Sequence, residues 1–194
     1  MTFLASAANY APGVTFELRN QIDHWYKHLP NSLHFPSDHS LLFDMRKAYL
    51  RCMYHALIAV AFWPFVPRCN DIVHDGTSSS PESMRLADED ITQIIQGADE
   101  CLDAARNYLR VAEEILTQKT LVSHMILRSY FTTAMILLLV HPVTVSASTS
   151  PIATSDTSSI VHAIHNLEHW DVVPFMQRPM EEMRRIAILK GILT

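Results

Sequence analysis

Apolar residues recur along this chain at steps of three and four and almost never at two, which is the period of helices rather than strands. Leu18, Ile22, Trp25 and Leu29 form one such stripe and predict a helix over residues 16–29, with Arg19, Asp23 and Lys27 on its other faces. Pro30 ends it, because the residue before a proline is pushed out of the α region. Asn31, Ser32 and Pro36 make a turn-rich exit, with Leu33 and Phe35 free to dock on the core. A helix carrying Trp25 on its apolar stripe is expected to be a packing centre. A second helix is predicted from about Ser40 to Trp63 on the stripe Leu42, Met45, Tyr49, Cys52, Ala56, Val60 and Trp63. Asp38 or Ser40 is its expected cap, and Pro64 and Pro67 are its expected stop. From Ala56 to Phe65 it is apolar on nearly every face, so it is expected to be central.

Residues 1–15 read as an arm broken at Pro12 and Gly13, and residues 68–83 as a loop through Asp75, Gly76 and the polar run to Ser80. A long helix from about Pro81 to Gln118 carries the stripe Ile91, Ile94, Ile95, Ala98, Leu102, Ala105, Leu109, Ala112 and Leu116. Gly97 weakens it and leaves room for a close neighbour. Leu121 to Val140 is the most apolar helix and stops before Pro142. Residues 144–159 read as a flexible polar connector, followed by a shorter helix over Ser159–Trp170. A last helix is predicted to start near Pro179, with Glu181 and Glu182 in its first turn and Gly191 near its end. No tandem repeat is visible. The sum is an all-α fold: one domain over residues 1–194, about six helices, two of them central and apolar.

Composition narrows this further. A chain of 194 residues with 48% hydrophobic and 18% charged residues is long and balanced enough for a packed core. Four glycines in all argue against a turn-rich β fold. The net charge of −5 supplies no overall basic field for nucleic acid. Cys52, Cys69 and Cys101 are too far apart for a metal clip or a disulfide framework, so a reducing intracellular site, cytoplasmic or nuclear, is expected. Residues 1–15 lack the basic start and long apolar run of a signal peptide. Leu121–Val140 is long enough to span a bilayer, but Arg128 near its middle would cost roughly 2.5–3.5 kcal/mol there, so a buried core helix is expected and no membrane span.

Little in the sequence points to catalysis. There is no phosphate-binding glycine loop, no P-loop and no nucleophile elbow, and Ser123 beside His124 is adjacency rather than a dyad. His24 with His28, and His162 with His165 and His169, have helical spacings that metal ligands use. No carboxylate or thiolate is fixed beside them, and 11 histidines produce such pairs by chance, so no metal and no cofactor is expected. Arg128 is more informative. In so apolar a helix a buried guanidinium needs a partner, either an internal carboxylate such as Asp99, Asp103 or Glu113, or a ligand. Tyr49, His55, Phe62 and Trp63 on the other apolar helix are ordinary core residues or the wall of an apolar pocket, which Met45, Met53, Met125 and Met135 would make adaptable. The expected ligand-binding residues are His55, Trp63, His124 and Arg128, on two helices expected to pack together.

Several segments, in order, resemble one family. Leu18, Gln21, Ile22, Trp25, Tyr26, Leu29, Pro30, Leu33, Phe35 and Pro36 resemble a segment of the fungal-specific transcription factor domain, the helical regulatory region of fungal zinc-cluster transcription factors. Arg46–Pro64, Cys101–Arg106 and Tyr130–Leu139 are similar to later segments of it, so the chain would correspond to its later half. The six clustered cysteines of that family's DNA-binding module are missing. The resemblance implies a ligand-responsive helical module that holds an apolar small molecule and does not itself bind DNA. An alternative is an enzyme of a fungal natural-product pathway, recruited from such a domain. It would be a cofactor-independent cyclase, of pericyclic type, or an isomerase, a chemistry that needs shape and a few hydrogen-bond donors. A third is a fragment of a transcription regulator. The initiator Met1 favours a complete product; oligomeric state is left open, a homo-oligomer included.

Overall fold

In the computed structural model, which describes residues 12–36, 40–75, 88–140, 152–170 and 173–193, every regular element is an α-helix. They are α1 (Pro12–Lys27), α2 (Met45–Phe62), α3 (Phe65–Asp75), α4 (Asp88–Leu116), α5 (Leu121–Val140), α6 (Ile152–Glu168) and α7 (Gln177–Leu189). The all-α expectation is met, with seven helices among the described residues. Of the expected arm over residues 1–15, residues 12–15 are the first turn of α1, so Pro12 and Gly13 do not break the chain there; residues 1–11, the cap at Asp38, residues 76–87 and the connector as far as residue 151 lie outside the described residues. The chain forms two compact units: residues 1–34 with Met53–Ala104, and Phe35–Cys52 with residues 105–194. Two of the boundaries between them fall within a helix, one in α2 and one in α4.

In the first unit, α1 is rotated from its predicted phase. Leu18 is 41% exposed and Trp25 36%, while Thr15 is buried and Arg19, Ile22 and Tyr26 half-buried. Specific contacts outweigh the apolar stripe here. Thr15 Oγ1 donates to the Ala61 carbonyl at 3.4 Å, and the Phe16 ring meets Phe62 edge-on at 5.6 Å. Tyr54 Oη donates to Asp23 at 2.7 Å, and Arg19 lies 3.4 Å from the same carboxylate and over the Tyr54 ring. Burial, then the Asp23 bond, pushes the Tyr54 phenol up to about 12.

The later part of α2 also leaves its predicted stripe, by two positions. Ile58 and Phe62 are buried, whereas Leu57 and Val60 are exposed, so this segment is not buried all round as expected. Pro64 sits in the turn after α2, but Pro67 does not stop the chain: it occupies the first turn of α3, where a proline N–H is not needed. The predicted loop therefore begins as α3. Phe65 of α3 lies directly on Gly97, where a Cβ would stand 2.5 Å from its ring, so the close approach expected at that glycine is real.

In the second unit, Asp44 rather than Ser40 caps α2, accepting from the Arg46 N–H at 3.0 Å. Phe35 docks in the core as expected. The predicted α4 stripe holds: Leu102 in the first unit and Ala105, Leu109, Ala112 and Leu116 in the second are all buried; toward its start Ile94 and Ala98 are buried, but Ile95 is 45% exposed. Helix α5 starts on a reciprocal cap in which the Ser123 N–H donates to Thr120 Oγ1 at 3.3 Å and the Thr120 N–H donates to Ser123 Oγ at 3.0 Å. Its buried face is Ile126, Leu127, Tyr130, Ala134, Leu137 and Leu138, and it packs with α6 and α7. By length and composition alone α5 could cross a bilayer.

Helix α6 begins at Ile152, seven residues before the predicted start, so residues 152–159 are helix and not connector. Its core turns, with Ile160, Ala163, Ile164 and Leu167 buried, provide the nucleus, and adding turns to a formed helix costs far less than starting one. Helix α7 starts two residues before Pro179, which puts Glu181 and Glu182 in its second turn. It ends as expected at Gly191, whose φ of 69° lets the Ile192 and Gly191 N–H groups close on the Ala187 and Ile188 carbonyls.

All three cysteines are free; Cys52 and Cys101 are buried and Cys69 is half-buried. Burial pushes the Cys52 and Cys101 thiols up to about 12 and raises Cys69 as well.

Candidate functional site

The four residues expected to bind ligand divide between the two units. His55 and Trp63 are half-buried in the first, His55 on α2 with its ring edge-on to Tyr54 at 5.4 Å, and Trp63 in the turn between α2 and α3. His124 and Arg128 belong to the second, one turn apart on the outward face of α5. His124 Nδ1 lies 3.0 Å from the Thr120 carbonyl, and its ring meets Trp170 edge-on at 4.9 Å. Arg128 is exposed, which corrects the expectation of a buried guanidinium there. The buried face of α5 is mainly aliphatic, but Leu121, Met125 and Leu139 share its exposed side with His124, Arg128 and Thr132, so the helix is apolar in sum yet has a solvated side.

The buried arginine is Arg51, which the apolar periodicity does not single out. Its side chain is 1% exposed, and it donates to Glu114 on α4 at 3.1 Å and to the Ser40 carbonyl at 2.9 Å. The predicted α2 stripe places it one residue off the buried face, which hides it from a reading by period.

A recess of about 210 Å³ opens within the second unit. Arg106, Arg110 and Glu113 of α4, Tyr130 of α5, and Ser159 and His162 of α6 line it, with Leu109 as an apolar wall and Ser158 beside Ser159. None of the four predicted ligand residues belongs to it. Arg106, Arg110 and Glu113 share one side of α4 because they lie four and three residues apart. Tyr130 is almost wholly buried. Its hydroxyl accepts from Asn166 Nδ2 at 3.3 Å, and this is its one hydrogen bond among the described residues. Burial pushes that phenol up to about 12; the Asn166 bond opposes this and Glu113 adds to it. Tyr130 therefore keeps its proton at neutral pH and has an O–H to donate. His162 Nδ1 stands 3.8 Å from Glu113, and both side chains reach solvent. One hint of this place is legible in the chain, a tyrosine in step with Leu127, Ala134 and Leu137 on the apolar stripe of α5. The arginines and the serines lie some fifty positions apart, beyond any periodic pattern.

A second recess, of about 320 Å³, runs along α4 in the first unit and is lined by Asp99, Glu100, Asp103 and their neighbours Thr92, Ile95 and Gln96. The histidine pairs are packed on their own helices: His28 stacks on His24 at 3.9 Å, and His169 meets His165 edge-on at 5.1 Å. Among the described residues, no three histidine, cysteine or carboxylate side chains converge as metal ligands. Compared with protein-family models, with curated proteins and with solved structures, the chain gives no match.

Proposed function

We propose that this chain is a helical ligand-binding module, of the regulatory kind that its segment from Leu18 to Pro36 resembles, which takes a small molecule and does not itself bind DNA. One observation carries the reading: three helices of one unit converge on a recess with a buried, protonated phenol and two arginines in its lining. Small-molecule sites are built in this way, from an apolar wall and a few convergent polar groups. A donor that does not ionise near neutrality favours binding over proton transfer, since a general base needs a pKa near the working pH. The net charge of −5 argues against an affinity for duplex DNA.

A fragment library screened by NMR against the whole chain tests the proposal. We expect hits that shift the resonances of Tyr130, Arg110 and His162 and raise the thermal midpoint. Hits that leave these three unmoved, turnover of a bound compound, or a sequence-selective duplex complex at physiological salt would each overturn it.

A further inference from the structure

We infer that the group recognised in the recess of the second unit is the carboxylate of a small organic acid, an inference that rests on the binding reading above. Arg110 and Arg106 line the recess beside one carboxylate, Glu113; Arg110 makes no hydrogen bond or ion pair among the described residues, so its guanidinium is the cation the recess offers an anion. Arginine suits this role because its planar fork matches a carboxylate in two parallel bonds. The Tyr130 hydroxyl, on a residue 1% exposed, accepts from Asn166 and retains its own proton for an acceptor that enters the recess. Ser159 on α6 adds a further hydroxyl to the lining. The organic body follows from the remaining space. Leu109 is buried behind the lining, and a bare inorganic anion would fill only part of the recess of about 210 Å³. A volume of about 210 Å³ lies below the ~300–1,000 Å³ of ordinary drug-sized sites, so the ligand is small. Glu113 is the one unfavourable group, and it supplies a test of sign.

Titrate the whole chain with benzoate, with its neutral counterpart benzamide, and with inorganic phosphate, following the arginine Nε–H and tyrosine resonances. Benzoate is expected to shift Arg110 and Tyr130, and benzamide to bind at least roughly tenfold more weakly, the scale of a charge-assisted hydrogen bond. Arg110→Gln, on an exposed side chain, should fold normally by its thermal midpoint and bind benzoate roughly tenfold more weakly. Glu113→Gln should bind it several-fold more tightly. Equal affinity for benzamide and benzoate, or weaker binding by Glu113→Gln, would overturn the carboxylate while leaving a small-molecule site in place. Phosphate binding without benzoate binding would make this an inorganic-anion site and overturn the organic acid. No shift of the recess residues with any of the three compounds, together with a failed fragment screen, would overturn both readings.

Discussion

Arg51 and Arg128 each sit near the middle of a strongly apolar helix, and they meet opposite fates. Arg51 on α2 is sealed from water and paired with Glu114 of α4, whereas Arg128 on α5 projects outward. The abundance of apolar residues around them does not separate the two cases. What separates them is whether a carboxylate waits on the facing element. Arg51 meets Glu114 and the Ser40 carbonyl, so its burial is compensated. For Arg128, the neighbours one turn away in either direction, His124 and Thr132, share its outward face, so the helix turns it to solvent. An arginine in an apolar run marks a decision about helix phase, and the sequence around it does not make that decision alone.

Four substitutions break or sharpen this contrast. Glu114→Leu keeps the bulk but takes the carboxylate away from the buried Arg51 charge, so unfolding in denaturant should show the largest loss, about 3–5 kcal/mol. Arg51→Met should cost less, about 1–3 kcal/mol, because Glu114 is 20% exposed and can turn to water. In the double variant the two losses should not add, and a fully additive cycle would mean that the pair is uncoupled. Trp25→Ala tests the same phase question on α1. With Trp25 at 36% exposure the cost should be about 1–2 kcal/mol, and a value of about 3–5 kcal/mol would restore the predicted stripe. Arg128→Met should fall within about 0.5 kcal/mol of the parent, and a larger loss of thermal stability would show that the exposed guanidinium is anchored after all.

The reach of the sequence follows from the same physics. The stripe of α4 is readable because charged residues occupy its other faces, so only one rotation buries the apolar set. In α1 and in the later part of α2 the buried face departs from the predicted stripe. Their rotations are fixed by partners far along the chain, Ala61 for Thr15 and Glu114 for Arg51, and no local period encodes those. Helix α3 escapes a reading by period because Pro67 looks like a stop, although a proline in a first turn breaks nothing. Glycine is informative at both positions where geometry requires it, Gly97 under the Phe65 ring and Gly191 at a positive φ. The recess is invisible for a different reason. It joins polar residues that each look like ordinary solvated positions on α4 and α6, and only the fold brings them to Tyr130.

The burial of Cys52 and Cys101 has a practical side. Thiol-directed reagents attack the thiolate, and these two thiols neither reach solvent nor ionise near neutral pH. Cys69, half-buried on α3, is then the one native handle for a maleimide dye or a spin label. Because Cys69 belongs to the first unit, an unmodified chain takes its label there and leaves the second unit dark. A single cysteine introduced at an exposed position of α5 would light that unit in turn, without removing any native residue from the core.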